Sequence, residues 1–154
     1  MKNVAVGLVM VMALTTGCLA QDQTPGAIVL LSGYKHQKIQ GTDSFPGRIR
    51  KDNGLEIEYD IGGLTGNFAE QILSRTSGKK PAWSKEQTMR GMRVVTVLTT
   101  DRWLIVTFSS LPPGLGRSSQ GVWALPANFS AKVNSDEDIA DMLSMIMTYS
   151  PASQ

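Results

Sequence analysis

The chain of 154 residues has one cysteine, Cys18, and one histidine, His36. Cys18 lies at the end of an apolar leader, so the rest of the chain is free of thiols. Disulfides, thiolate catalysis and cysteine-based zinc sites are thereby excluded from it. His36, in GYKHQKI, has no HExxH or other metal-ligand spacing around it and reads as a solvated histidine on an alternating strand. The serines lack a GxSxG elbow, which with a single histidine argues against a serine hydrolase. Gly62, Gly63 and Gly66 in GGLTG lack both the GxGxxG context and the lysine of a phosphate loop and read as a flexible turn. No cofactor is expected. Long apolar runs are missing too: the longest, Val4 to Leu14, falls short of the roughly 20 residues that cross a bilayer, so no membrane span is expected. The leader carries only Lys2, and the remainder is close to neutral, which gives no global signal for nucleic acid.

The front end has the order of an export signal: Lys2, the apolar run, then small residues at Thr15, Thr16 and Gly17. Two fates are open for Cys18. Cleavage after Ala20 would discard it and leave a soluble periplasmic or secreted protein starting at Gln21. Alternatively TTGC resembles a bacterial lipobox, which would make Cys18 an acylated N-terminus and the protein a membrane-anchored lipoprotein; Thr15 stands where that pattern has an aliphatic residue. Residues 1–20 are thus a leader, 21–26 (QDQTPG) a tether, and 27–150 a single domain, long enough to bury a core without staples.

Within the domain the signals are mostly strands. In RIRKDNGLEIEYDI, Asp52, Asn53 and Gly54 supply a turn, and Leu55, Ile57, Tyr59 and Ile61 alternate with Glu56, Glu58 and Asp60. That strand has an apolar face and an acidic one. In RVVTVLTTDRWLIVTFSS, Thr100 to Arg102 separate two runs of β-branched and aromatic residues. Arg90 and Gly91 mark another turn, with Trp83 to Met89 as the preceding strand of a meander. Gly62 to Pro81 reads as a basic, partly disordered loop, and Leu111 to Gln120 (LPPGLGRSSQ) as a long loop between strands.

The chain ends in a helix. Ser135 and Asp138 form a capping-box pattern, Asp136, Glu137 and Asp138 place negative charge on the first turn, and Pro151 closes the element. Ile139, Met142, Leu143, Ile146 and Met147 make one apolar stripe, and Asn128 to Val133 reads as the strand leading into it. The expected fold is α+β: a single antiparallel sheet of about five to seven strands covered by the C-terminal amphipathic helix. The stretch ANFSAKVNSDEDIADMLSMIMTY, supported by RWLIVTFSS, resembles the PsbP/Mog1-like α/β sandwich domains and uncharacterised exported bacterial proteins of similar length. That resemblance implies a non-enzymatic accessory or binding role.

Two surfaces are candidates for function. Arg75, Lys79, Lys80, Lys85, Arg90 and Arg93, with Trp83 among them and Glu86 as the single acid, would suit an anionic envelope component or an acidic protein. The same residues also fit a solvated loop and a charge-guarded strand edge. Glu56, Glu58 and Asp60 share one strand face, the arrangement an envelope hydrolase with a carboxylate site would use, although such a row is also the ordinary wet face of a sheet. The leading expectation is an exported, non-enzymatic binding or accessory protein. A carboxylate hydrolase and a structural, oligomer-forming module are the alternatives.

Overall fold

The computed structural model describes residues 24–52, 54–62, 66–74, 78–110 and 126–150. The leader with Cys18, Arg75, and the Leu111 to Gln120 segment lie outside the described residues. Seven strands form one antiparallel sheet: β1 (Tyr34–Lys38), β2 (Phe45–Lys51), β3 (Glu56–Ile61), β4 (Pro81–Met89), β5 (Met92–Thr99), β6 (Trp103–Ser110) and β7 (Ala127–Lys132). Two helices, α1 (Phe68–Leu73) and α2 (Asp136–Ile146), lie between and after them. The architecture is therefore α+β, as the strand and helix patterns indicate.

The spatial order is β1-β2-β3-β7-β6-β5-β4. The expected single meander is in fact two, β1 to β3 and β4 to β7, joined where β3 pairs with β7. Local turn chemistry builds each meander. The two-residue turn at Arg90 and Gly91 has positive φ at both positions, 49° and 73°, as a type I′ turn requires, and it aligns Met89 with Met92. At the next turn the Thr99 hydroxyl accepts from the Trp103 amide at 2.9 Å and donates to Asp101 at 2.5 Å, holding that carboxylate below its ordinary pKa.

The C-terminal helix covers one face of the sheet. Its start is secured by the reciprocal Ser135 and Asp138 capping box. Met142, Met145 and Ile146 are fully buried against Ile49, Ile57, Val94, Leu104, Val106 and Phe129. Phe108, Phe129 and Tyr149 meet edge to face, with centroids 4.9 to 5.8 Å apart. Tyr59 lies across Gly47 in the adjacent strand; a Cβ there would collide with the phenol ring. The gap reserved by Gly47 lets the Tyr59 hydroxyl reach Nε2 of His36 at 2.5 Å. His36 is consequently half-buried on the helix side rather than solvated.

The N-terminal residues of the fold are strapped onto the same layer. Ser150 donates its amide to the Gly26 carbonyl at 2.7 Å, and Val29 donates to the Thr148 hydroxyl at 2.8 Å. Gly26, the end of the expected tether, thus contacts the turn that follows α2. Arg90 reinforces this corner by donating to the carbonyls of Met147 and Tyr149.

The expected basic loop from Gly62 to Pro81 needs correction, because α1 occupies part of it and packs on the opposite face of the sheet. Asn67 caps this helix by accepting from the Glu70 amide, and Ala69 and Ile72 bury against Val95, Val97 and Ile105. The near-continuous apolar run of β5 follows from this arrangement: α2's layer covers one face and α1 the other.

All three tyrosines of the chain contribute to the helix-covered core. Burial pushes the Tyr59 and Tyr149 phenols up to about 12, and burial followed by the bond to Asp141 raises Tyr34. A phenol whose folded pKa exceeds its unfolded value of about 10 contributes stability that is intact below that pH and is lost as pH rises toward the folded value. An alkaline titration read by tyrosinate absorbance and circular dichroism should therefore show protonated phenols and an intact sheet at about pH 11. Ionisation and loss of the sheet signal should then come together near pH 12. Ionisation near pH 10 with the sheet retained would contradict the packing described.

Candidate functional site

Among the described residues, α1 rests on β5 and β6 and leaves the β2, β3 and β7 part of its own face uncovered. A cleft of about 260 Å³ lies there. Ile39, Pro46 and Phe68 supply apolar walls, and Arg48, Glu58, Asp60, Asn128 and Ser130 supply polar groups. The sheet register sets this order: Arg48 faces Glu58, which faces Ser130, and Pro46 faces Asp60, which faces Asn128.

Two shielded polar atoms of the cleft have no hydrogen-bond partner among the described residues, Arg48 Nε and Asp60 Oδ1. Arg48 ties up Glu58 at 3.2 Å and lies 3.4 Å from Glu56, so two of the three carboxylates on the acidic face share one guanidinium. All three of these side chains remain substantially exposed, and pairs of that kind contribute little to stability. Asp60 is different. Its Oδ1 is shielded from solvent and has no hydrogen-bond partner among the described residues. A shielded carboxylate oxygen costs free energy unless a donor meets it.

Asn128 builds the inner wall. Its Oδ1 accepts from the Thr107 hydroxyl at 2.8 Å and from the Phe68 amide at 3.2 Å, and its Nδ2 donates to the Gly66 carbonyl at 2.9 Å. The Thr107 hydroxyl also accepts from the Ala69 amide at 3.2 Å. Two sheet side chains thus satisfy two first-turn amides of α1, groups that no intrahelical bond can reach. Asn128 is accordingly a buried structural latch. It places Phe68 at the cleft's edge.

The arrangement is suited to accepting hydrogen bonds from a ligand rather than to nucleophilic chemistry. Ser130 is the hydroxyl of the cleft, while His36, aligned with Ile49, lies toward the opposite face of the sheet and cannot serve it as a base. Among the described residues no group of three or more His, Cys, Asp or Glu side chains is placed to hold a metal ion, and no helix is long and apolar enough to cross a membrane. A wider hollow of about 540 Å³ at the β2–β3 turn is lined by Arg50, Lys51, Asp52, Gly54 and Glu56. Its charged side chains are exposed and all belong to one hairpin, so it offers charge without enclosure.

The basic residues singled out in the sequence are dispersed. Arg90 is committed to the C-terminal carbonyls. Arg93 clamps Glu86 at 2.7 and 2.8 Å and also binds Glu70 of α1; these bonds raise the guanidinium pKa and lower that of Glu86. Lys79 is 4.2 Å above the Trp103 ring and 3.9 Å from Asp101. Lys80, Trp83 and Lys85 remain exposed at the outer edge of the sheet. Comparison with protein-family models, with curated proteins and with solved structures yields no match in any of the three.

Substituting Asn128→Ala would strand the Thr107 hydroxyl, the Phe68 amide and the Gly66 carbonyl together. A loss of roughly 3 kcal/mol in denaturant unfolding is expected, with faster amide exchange across Phe68 to Leu73. A cost below about 1 kcal/mol with α1 exchange unchanged would show that the latch is not what holds the helix.

Proposed function

We propose that the chain is a small exported binding or accessory protein whose ligand occupies the cleft over β2, β3 and β7. The observation that carries this reading is the shielded Asp60 Oδ1, which meets no donor among the described residues and lies in a cleft walled by Phe68 and Pro46. The cleft itself is lined by two carboxylates, Glu58 and Asp60, against the one Arg48 guanidinium, so the ligand is a small donor-rich cation such as an amine. An ammonium would donate to Asp60 and Glu58 while its aliphatic part lies on the apolar walls. Export rests on the leader, and an accessory role agrees with the resemblance of the C-terminal third. The carboxylate hydrolase is less well supported, since Glu56 and Glu58 are both drawn to Arg48.

The test is calorimetric titration and thermal shift with spermidine, putrescine, arginine and glucosamine. Binding by at least one of these amines is expected, and Asp60→Asn, which keeps the shape and removes the charge, should weaken it by about ten- to a hundredfold. Glu56→Gln should have a smaller effect. Binding that is indifferent to Asp60→Asn, or no binding by any of the four, would remove the cleft from consideration.

A further inference from the structure

Of the two shielded cleft atoms that no described residue satisfies, Arg48 Nε is a donor and Asp60 Oδ1 an acceptor. Nε lies 3.4 Å from Glu56, yet no hydrogen bond forms there, and the bond of this guanidinium to Glu58 is made through Nη2. Shielded groups of this kind cost free energy until a partner meets them. The sheet register fixes how the two are related. Arg48 faces Glu58, and Asp60 stands two residues further along β3 on the same side of the sheet, so the pair is diagonal across one ladder. Diagonal positions are about 7 to 8 Å apart, and a hydrogen bond of about 2.9 Å aimed inward from each leaves the ligand's own donor and acceptor only a few ångströms apart. Substituents on neighbouring carbons meet that spacing.

We propose that the ligand of this cleft is a vicinal amino alcohol, the class to which the hexosamines belong, with its ammonium donating to Asp60 and its hydroxyl accepting from Arg48 Nε. This rests on the reading that the cleft binds an amine, and it names which kind. The acceptor is neutral because Glu56 and Glu58 already flank the guanidinium, and a ligand carboxylate would be set against both. A zwitterionic amino acid is thereby disfavoured. A hydroxyl fits better than a carbonyl because it also donates, and Glu58 stands directly beside Arg48, with Ser130 beyond it, to accept that second bond. Simple diamines have no acceptor and would leave Nε as it is.

The walls suit a ring. Pro46 stands beside Asp60 in the register, and Phe68, 38% exposed, closes the rim. A saturated ring can turn its C–H face to these side chains while its substituents reach the polar row. At about 260 Å³ the cleft is smaller than the roughly 300 to 1,000 Å³ of drug-sized sites, so it holds one ring and not a chain of them.

Calorimetric titration of the purified protein with trans-2-aminocyclohexanol, trans-4-aminocyclohexanol, cyclohexylamine and glucosamine tests the inference. The first three share a ring and an ammonium and differ only in the hydroxyl. The 2-isomer and glucosamine should bind at least about tenfold more tightly than cyclohexylamine, and the 4-isomer should gain nothing over it. Arg48→Lys keeps the positive charge but has no donor at the Nε position, and should bring the affinity ratio of the 2-isomer to cyclohexylamine down to about one. Equal binding of the 2-isomer and cyclohexylamine by the unaltered protein, or tighter binding of the 4-isomer, would overturn the inference and leave the amine reading in place. A preference that survives Arg48→Lys would overturn it as well. Binding by none of the four would end both.

Discussion

The antiparallel seam between β3 and β7 is the interaction on which the rest of the molecule depends. Each meander can form from local turns, but the main core draws on both, and only the small cluster under α1 belongs to β5 and β6 alone. Four residue pairs join them, Glu58 with Ser130, Tyr59 with Phe129, Asp60 with Asn128 and Ile61 with Ala127. These partners lie far apart in the chain, so their pairing carries a loop-closure cost that must be offset by what it brings together. On one side it sets Tyr59 beside Phe129, 6.0 Å between ring centroids, and so extends the aromatic cluster that packs beneath the C-terminal helix. On the other it sets Asp60 beside Asn128, and thereby makes the inner wall of the cleft.

The two helices use this platform differently. The C-terminal helix buries a broad apolar stripe and is locked by Tyr34, whose hydroxyl donates to Asp141 at 2.8 Å, and by Arg90 at its carboxyl end. The short helix α1 has only Ala69 and Ile72 to bury, too little to hold six residues by hydrophobic contact alone. Polar attachment by Asn128 and Thr107 compensates. Because that attachment anchors α1 over β5 and β6, part of the neighbouring sheet face stays open, and the proposed ligand site is a consequence of how small α1 is.

Much of the fold was legible because it is written in local chemistry. The alternation from Leu55 to Ile61, the Arg90–Gly91 turn and the Ser135 to Asp138 box each specify an element within a few residues of themselves. The seam was not legible, since nothing near Tyr59 names Phe129 as its partner. Helix α1 escapes the sequence for a related reason: it is only six residues long, and its main support comes from Asn128 and Thr107, distant in sequence. Asn67 followed three residues later by Glu70 was the available signal, with Phe68, Ala69, Ile72 and Leu73 as a short apolar stripe beside it. The row Glu56, Glu58 and Asp60 was visible as one face, but only the cross-strand register reveals that Arg48 occupies the first two and leaves Asp60 apart. The basic cluster looked continuous in sequence and is divided in space, because Arg90 and Arg93 serve different faces of the sheet.

The most direct test of the seam is native-state hydrogen exchange resolved by residue. If β3 and β7 hold the two meanders as one cooperative unit, the seam-facing amides of Glu58, Asp60, Asn128 and Ser130 will exchange only through global unfolding, with a free energy equal to that from denaturant. If β1 to β3 instead open together at a markedly lower free energy while β4 to β7 stay protected, the seam is a weak junction between independent halves, and neither the core nor the cleft depends on it.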